Sequence, residues 1–399
     1  MRIKEAEHKY VSEVLASEFR TSKLTGMTTR FEQAFVKKFG TKFGVSHING
    51  TATMHSALAA AGVGPGDEVI VPPLTMASTS LVVLHQNAIP VFADIDPDTF
   101  TLDPESIRKS ITEKTKAIIP VSVYGLSPDY DSIMEIAKHN NLYVIEDNAE
   151  CFLGYYKDRL VGTLGHMASF SFQASKHMTS GEGGIVITDD ESLADKMRAF
   201  SIVGYDIVSA KAGKITKDVL QNPNYARHTS FGYKYKMPDL CAAVALGQLE
   251  QLDMLVESRK SNAKKFLEIV KDCSWLKPQK EPDGYVNSYY TLAMLLDLDS
   301  VDFTWHQFRK QFLDFGGDGF YAAWLPTYRE PMWKTQDHRV LDVINRFGNH
   351  QKFLDYYIEH CPNEENIQPR IIQLKTNYLD PARCQQQVEI FAKTIRRFS

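Results

Sequence analysis

The sequence predicts an α/β protein: a mostly parallel central sheet flanked by helices, followed by a smaller α+β C-terminal domain. Three observations carry this expectation. Short, continuously apolar, β-branched runs recur from about residue 45 to 190. Stretches of helical period separate several of them. The alternation then gives way to a different order near residue 275. Strands that alternate with helices argue for parallel pairing, and strands buried on both faces read as unbroken apolar runs.

In order, the runs at 68–71, 90–95, 117–123, 142–146, 168–172 and 185–188 are expected as strands. Helical patterns fall at 51–61, 78–86, 104–110 and 130–139. Residues 191–204 and 238–270 read as helices, the second with Pro238 at its start. Between them, residues 205–230 are polar and read as a long functional loop. Beyond 275, a strand at 288–296, a helix at 304–315 and a terminal helix at 381–398 form the smaller domain. The expected division is a large domain over 1–255 and a small one over 256–399. There are no internal repeats.

Composition narrows the class. The chain has 399 residues, 43% hydrophobic and 24% charged, ordinary values for a globular protein with an ample core. Its net charge of −4 and pI near 6.3 give no electrostatic footprint for nucleic acid. Cys151, Cys241, Cys273, Cys361 and Cys384 are scattered, without a CxxC pair. Neither a disulfide framework nor a metal site is expected. With no signal-peptide core and no apolar run long enough to span a bilayer, a cytoplasmic protein is expected.

Three segments carry chemistry. Asn49-Gly50-Thr51-Ala52 precedes a helix, whose free N–H groups and positive dipole end suit a phosphate. Taken alone, it reads first as a capped helix start. The run ending in Glu146-Asp147-Asn148-Ala149-Glu150 places Asp147 at the carboxyl end of a buried strand, where open α/β sheets bind ligands. An aspartate there keeps a cationic ring nitrogen protonated, or simply caps a turn. Lys176 follows a strand and precedes the glycine-rich turn Gly181-Glu182-Gly183-Gly184. A confined lysine forms imines with carbonyls, whereas an isolated loop lysine is ordinarily solvated.

Around these residues the sequence resembles the DegT/StrS family of PLP-dependent sugar aminotransferases, on the fold type I (aspartate aminotransferase-like) scaffold. The resemblance runs from about Gly26 to Asp253 and more weakly beyond. It rests on TGMTTRFEQAFVKKFG, NGTATMHSALAAAGVGPGDEVIVPPLTMAST, AIPVFADIDPDTFTLD, VYGLSPDYDSIMEIAKHNNLYVIEDNAE, VGTLGHMASFSFQASKHMTSGEGGIVITDD and FGYKYKMPDLCAAVALGQLEQLD, in family order and spacing.

The resemblance implies pyridoxal 5'-phosphate bound covalently at Lys176, which also shuttles a proton, with Asp147 on the pyridinium nitrogen. Gly50, Thr51 and Ser171 match phosphate-binding positions. Met76 stands where an aromatic side chain commonly packs on the ring. Glu150 stands where glutamine or histidine is often found near the 3-hydroxyl. Lys234 replaces the asparagine that reaches the phosphate of the neighbouring subunit, implying a homodimer with shared active sites. His177 takes the place of the usual asparagine and reads as a satisfied structural histidine.

The implied reaction is a ping-pong transamination. Glutamate or glutamine donates the amino group, and a keto-sugar, expected to be nucleotide-linked, accepts it. The basic residues Lys211, Lys214, Lys217 and Arg227 are candidates for the acceptor's phosphates across the dimer interface, or else form a solvated surface. Tyr321 and Trp324, in the segment 316–328, are candidates for the sugar side of the pocket, or ordinary core aromatics. A cyclitol (inosose) aminotransferase would share every motif. A sugar 3-dehydratase would lack the lysine. A non-catalytic regulatory homologue is the alternative from outside enzymology.

Overall fold

The computed structural model describes residues 2–19 and 26–398; Met1 and Thr25, which open two of the segments read above, lie outside them. A seven-stranded sheet forms the centre, in the order Phe43–His47, Gly184–Thr188, Met167–Ser171, Tyr143–Asp147, Thr115–Ile118, Glu68–Val71, Ile89–Phe92. From Met167–Ser171 to Ile89–Phe92 every neighbouring pair is parallel. The two strands at the other edge run antiparallel, with Phe43 opposite Thr188 and Ala168 opposite Ile187. Strands Glu68–Val71, Met167–Ser171 and Gly184–Thr188 are buried at every residue, as expected of strands covered on both faces.

Helices cover both faces. On one, Phe31, Phe35 and Phe39 of Met27–Phe39 meet Phe170 of the sheet and Phe172 just beyond its strand. Each such buried ring contributes about 1.5–3 kcal/mol of hydrophobic stabilisation. On the other, Met54, Ala57 and Leu58 of Gly50–Ala60 pack with Val69, Val71 and Ile145.

The expected helices at 104–110 and 130–139 are found as Pro104–Ser110 and Tyr130–His139. Several expectations need correction. Of the run 90–95 only the part within strand Ile89–Phe92 joins the sheet as a strand; Asp94 accepts the backbone N–H groups of Asn363 and Glu364, and Ile95 makes an isolated bridge to Leu102. The span 238–270 is two helices, Asp239–Glu250 and Leu252–Val270, broken at Gln251 where ψ is 1°. The polar stretch 205–230 is not wholly loop. It carries Ile207–Lys211 and Lys217–Gln221, capped by the side chains of Asp206 and Thr216. Helices His338–Phe347 and His350–His360, not foreseen, bring Val340, Val343, Ile344, Phe353 and Tyr357 into the large sheet's core.

A second, antiparallel sheet runs Leu276–Pro278, Thr291–Leu296, Ile371–Lys375, Tyr321–Ala322. Its own core includes Phe266, Trp275, Phe308, Phe312 and Phe391, which makes this part α+β as expected. Helix Leu252–Val270 joins the two cores. Leu252 and Val256 pack with the large sheet, Phe266 and Val270 with the small one.

Candidate active site

A cavity of about 390 Å³ opens at the carboxyl ends of the parallel strands, where an α/β sheet receives ligands. Lys176, Asp147, Gly50, Thr51, Ser171, Glu150 and Met76 all line it, with Trp324 on a further wall. Residues as distant in sequence as Gly50 and Trp324 therefore meet at one place.

Asp147 ends strand Tyr143–Asp147 and is 3% exposed. One carboxylate oxygen accepts from the Thr79 hydroxyl at 2.9 Å and the other from the Ala149 N–H at 3.2 Å. Burial raises its pKa, and those two donors, with the charge of Lys176, pull it part of the way back. Two fixed donors leave the carboxylate one orientation.

The Lys176 amine lies 3.2 Å from Glu150 Oε1 and 4.4 Å from the centre of the Tyr290 ring. Burial on its own lowers the lysine's pKa. The Glu150 carboxylate, then Tyr290, the hydrogen bond to Glu150 and Asp147 outweigh it, so the net direction is upward. Glu150 is itself held by the Tyr124 N–H, which donates to Oε2 at 3.0 Å. With that oxygen accepting and the other on the lysine, Glu150 acts as an acceptor-only carboxylate facing the amine.

A consequence is testable without any substrate. Glu150→Gln keeps the shape and removes the charge that raises the Lys176 pKa. The amine then loses its proton at lower pH. Labelling of Lys176 in the apoenzyme by an amine-reactive reagent should show its pH midpoint moving down. An unmoved midpoint would mean that Glu150 does not govern the lysine.

The third wall is the start of helix Gly50–Ala60. Asn49 caps it, its side chain accepting from the Ala52 N–H, and Gly50 and Thr51 face the cavity. Cap and cavity wall are thus the same feature, not rival readings. A Cβ added at Gly50 would lie 2.8 Å from the Ser171 Cβ and 3.3 Å from its Oγ. Only glycine lets the helix N-terminus come this close to Ser171. Gly50→Ala should therefore push the two apart and weaken binding of a phosphate-bearing cofactor about tenfold, the low end of what overpacking costs. An absorbance titration with pyridoxal phosphate measures this, and equal affinity would remove the cradle from the site.

Other expected residues stand elsewhere. Lys234 is exposed and does not line this chain's cavity. Lys214, Lys217 and Arg227 are exposed as well, and Arg227 donates to the Leu220 carbonyl at 2.8 Å. Lys211 is drawn onto the carboxylates of Glu191 and Asp195 of its own chain. The segment 316–328 divides: Trp324 reaches the cavity and stacks on Tyr124, Phe320 and Tyr328 are core, and Tyr321 is 57% exposed outside the cavity lining. His177 is only half satisfied. Its Nε2 pairs with the Ser288 carbonyl at 3.0 Å, while the buried Nδ1 has no partner among the described residues. Burial, with Arg259 nearby, holds its pKa well below the ordinary value, so the ring is neutral.

Thr79 and Tyr290 are site residues that reading along the chain missed. Thr79 had a faint signal in the hydroxyl run Ser78-Thr79-Ser80 at a helix start. Tyr290 had none. Its hydroxyl meets Ser175 Oγ at 2.7 Å across 115 residues of sequence.

These side chains fit pyridoxal phosphate by their donor set. A buried carboxylate with fixed orientation suits a protonated ring nitrogen. An amine at the cavity wall suits the aldehyde. A glycine-opened helix N-terminus suits the phosphate. Comparison with known proteins agrees. A model of the DegT/DnrJ/EryC1/StrS aminotransferase family matches residues 1–348. The chain is 34% identical over 339 residues to the spore coat polysaccharide biosynthesis protein SpsC of Bacillus subtilis (strain 168), covering 85% of this chain and 86% of that one. It is 35% identical over 289 residues to GDP-perosamine synthase of Escherichia coli O157:H7, covering 72% and 74%. The X-ray structure of the aminotransferase from Psychrobacter cryohalolentis superposes with a TM-score of 0.87 at 28% identity, covering 99% of this chain and 98% of that one.

Proposed function

The chain belongs to the DegT/DnrJ/EryC1/StrS aminotransferase family and is a PLP-dependent sugar aminotransferase, and from that premise we propose that it moves the amino group of glutamate or glutamine onto a nucleotide-linked keto-hexose. The observation that supports this reading most is the meeting of the Lys176 amine, the Asp147 carboxylate and the Gly50 helix start around one cavity.

Bound pyridoxal phosphate supplies the electron sink for exchanging an amine with a ketone. The chain's own residues do the rest. Lys176 would hold the cofactor, and its amine would carry a proton to and from the substrate carbon. Asp147, oriented by Thr79 and Ala149, keeps a positive charge on the group it faces. Glu150 holds Lys176 within reach. Trp324, stacked on Tyr124, forms an apolar wall against which the acceptor lies.

The GDP-perosamine synthase relative favours a nucleotide-linked acceptor over a free sugar or a cyclitol. The acceptor's phosphates need cations, and among the described residues Lys176 is the only one lining this chain's cavity. We therefore propose that Lys214 and Arg227, exposed outside the cavity, serve the acceptor's phosphates in the site of a second copy in a homodimer, and that Lys234 serves the cofactor phosphate there. Lys211, already engaged by two carboxylates, is the weakest member of that set. Five free cysteines suit a reducing compartment such as the cytoplasm, and no helix among the described residues is long and apolar enough to cross a membrane.

The test is the pair of half-reactions. Glutamate or glutamine should bleach the visible band of the holoenzyme, and a nucleotide-linked keto-hexose should restore it. Restoration by inososes alone would replace the sugar with a cyclitol. A band that neither amino acid bleaches would overturn the proposed donor.

A further inference from the structure

Two arginines grip the backbone that carries Lys176. Arg259 lies midway along helix Leu252–Val270 and is 5% exposed. Among the described residues no carboxylate is within ion-pair distance of it. Its guanidinium is satisfied by backbone carbonyls instead: Nη1 donates to Tyr290 O at 2.6 Å, and Nη2 to Ser175 O at 2.8 Å and Lys176 O at 3.3 Å. Arg2, ahead of helix Glu5–Ala16, comes to the same turn. Its Nη1 donates to Ala174 O at 2.8 Å, and its Nη2 to His177 O at 2.9 Å and to Lys176 O. Gln248 fixes Arg2 in turn, accepting from Nε at 3.2 Å and donating to the Arg2 carbonyl at 3.1 Å. Four consecutive carbonyls, 174 to 177, are thus taken by two cations, and that of Lys176 by both.

Core packing does not require this arrangement. A buried guanidinium without a carboxylate is costly, and an apolar side chain at 259 would avoid the cost. A guanidinium does what an apolar group cannot: its planar fork satisfies two or three carbonyls at once. The turn from 174 to 177 lies outside any strand, so its carbonyls have no ladder to join. The Tyr290 ring completes the grip. Lys176 Nζ is 4.4 Å from its centre and the Arg259 guanidinium 5.4 Å, so one ring is shared by both cations.

We propose that Arg2 and Arg259 are positioning residues for the Lys176 amine, acting through the carbonyls of 174–177. The inference rests on the role given to Lys176 above. The grip limits the volume the amine can sweep, and small misplacements of a reacting group cost large factors in rate. Because helix Leu252–Val270 enters both cores, Arg259 also ties the placement of the small sheet to that of the lysine.

The test uses the full chain with Arg2→Gln, Arg2→Lys and Arg259→Lys. Hydrogen exchange of the apoenzymes reads the turn directly. In Arg2→Gln, amides 174–178 should exchange about tenfold faster, as the loss of charged hydrogen bonds predicts, while those of Met167–Ser171 hold. In the holoenzyme, kcat should fall about tenfold with the donor KM within about twofold, and Arg2→Lys should recover part of the loss. Arg2 is partly exposed, so its variants should fold even if Arg259→Lys does not. The proposal is overturned if exchange at 174–178 matches wild type in Arg2→Gln, or if exchange rises equally in Met167–Ser171, a sign of general loosening. A wild-type protein with no cofactor attached at residue 176 would sink the functional reading instead, and the exchange measurement would still decide whether the grip exists.

Discussion

Lys176→Ala should reduce turnover at least ~10⁴-fold, the upper end of what one positioned proton-transfer group contributes, since the same side chain also holds the cofactor. The amine is the only cationic group lining the cavity among the described residues. Neighbouring side chains offer no substitute. Glu150 and Asp147 are acceptors, and Tyr290 presents its ring face to the amine. Arginine at 176 would keep the charge but not the imine chemistry, because it does not lose its proton in proteins. The attachment is measured by borohydride treatment followed by peptide mass spectrometry. Pyridoxal phosphate should become fixed to the wild-type peptide containing residue 176 and to no peptide of Lys176→Ala. Label at another lysine, or a variant with more than about a hundredth of wild-type kcat, would contradict the role given to this residue.

Asp147→Asn should show the second-largest loss, and the loss should come without a loss of fold. Removing one preorganised charge aimed at the reacting group costs about 3–4 kcal/mol of transition-state stabilisation, which corresponds to a fall of about 10²–10³-fold in kcat. Stability should move the other way in the apoenzyme. Burial is the main influence on Asp147 and raises its pKa above the ordinary carboxylate value. A carboxyl whose pKa is higher folded than unfolded favours the folded state only in its protonated form. Ionised Asp147 therefore burdens the apoenzyme above the folded pKa, and the burden vanishes below the unfolded one. Asparagine is neutral throughout. Apo Asp147→Asn should melt at or above the wild-type temperature at pH 7, with the difference closing as pH falls below about 4. With cofactor the order should reverse, because the wild-type carboxylate gains a cationic partner. A variant that is less stable in both states would recast Asp147 as a structural residue.

Much of this site was legible along the chain because its chemistry is clustered locally. Asp147 stands at the end of an apolar strand, Lys176 before a glycine-rich turn, and Gly50 behind an Asn cap. Each pattern is written within a few neighbouring residues. The strand and helix alternation was readable for the same reason: a strand buried on both faces must be apolar throughout, and a helix must repeat its apolar face every three or four residues. Boundaries and distant partners were less legible. Nothing near Phe92 announces that the strand ends there or that Asp94 will receive the N–H groups of residues 363 and 364. Nothing in the polar stretch 205–230 shows Lys211 folding back onto Glu191 and Asp195.

Tyr290 beneath the lysine, Arg2 and Arg259 on its carbonyls, and helices His338–Phe347 and His350–His360 against the large sheet are long-range contacts. Sequence by itself determined the fold class, the family and the groups able to bear the chemistry, since these follow from local period and residue type. Tertiary structure alone decided how those groups are held, because a hydrogen bond or a ring contact depends on distance in space, and residues brought together across the chain carry no mark of it in their own neighbourhood.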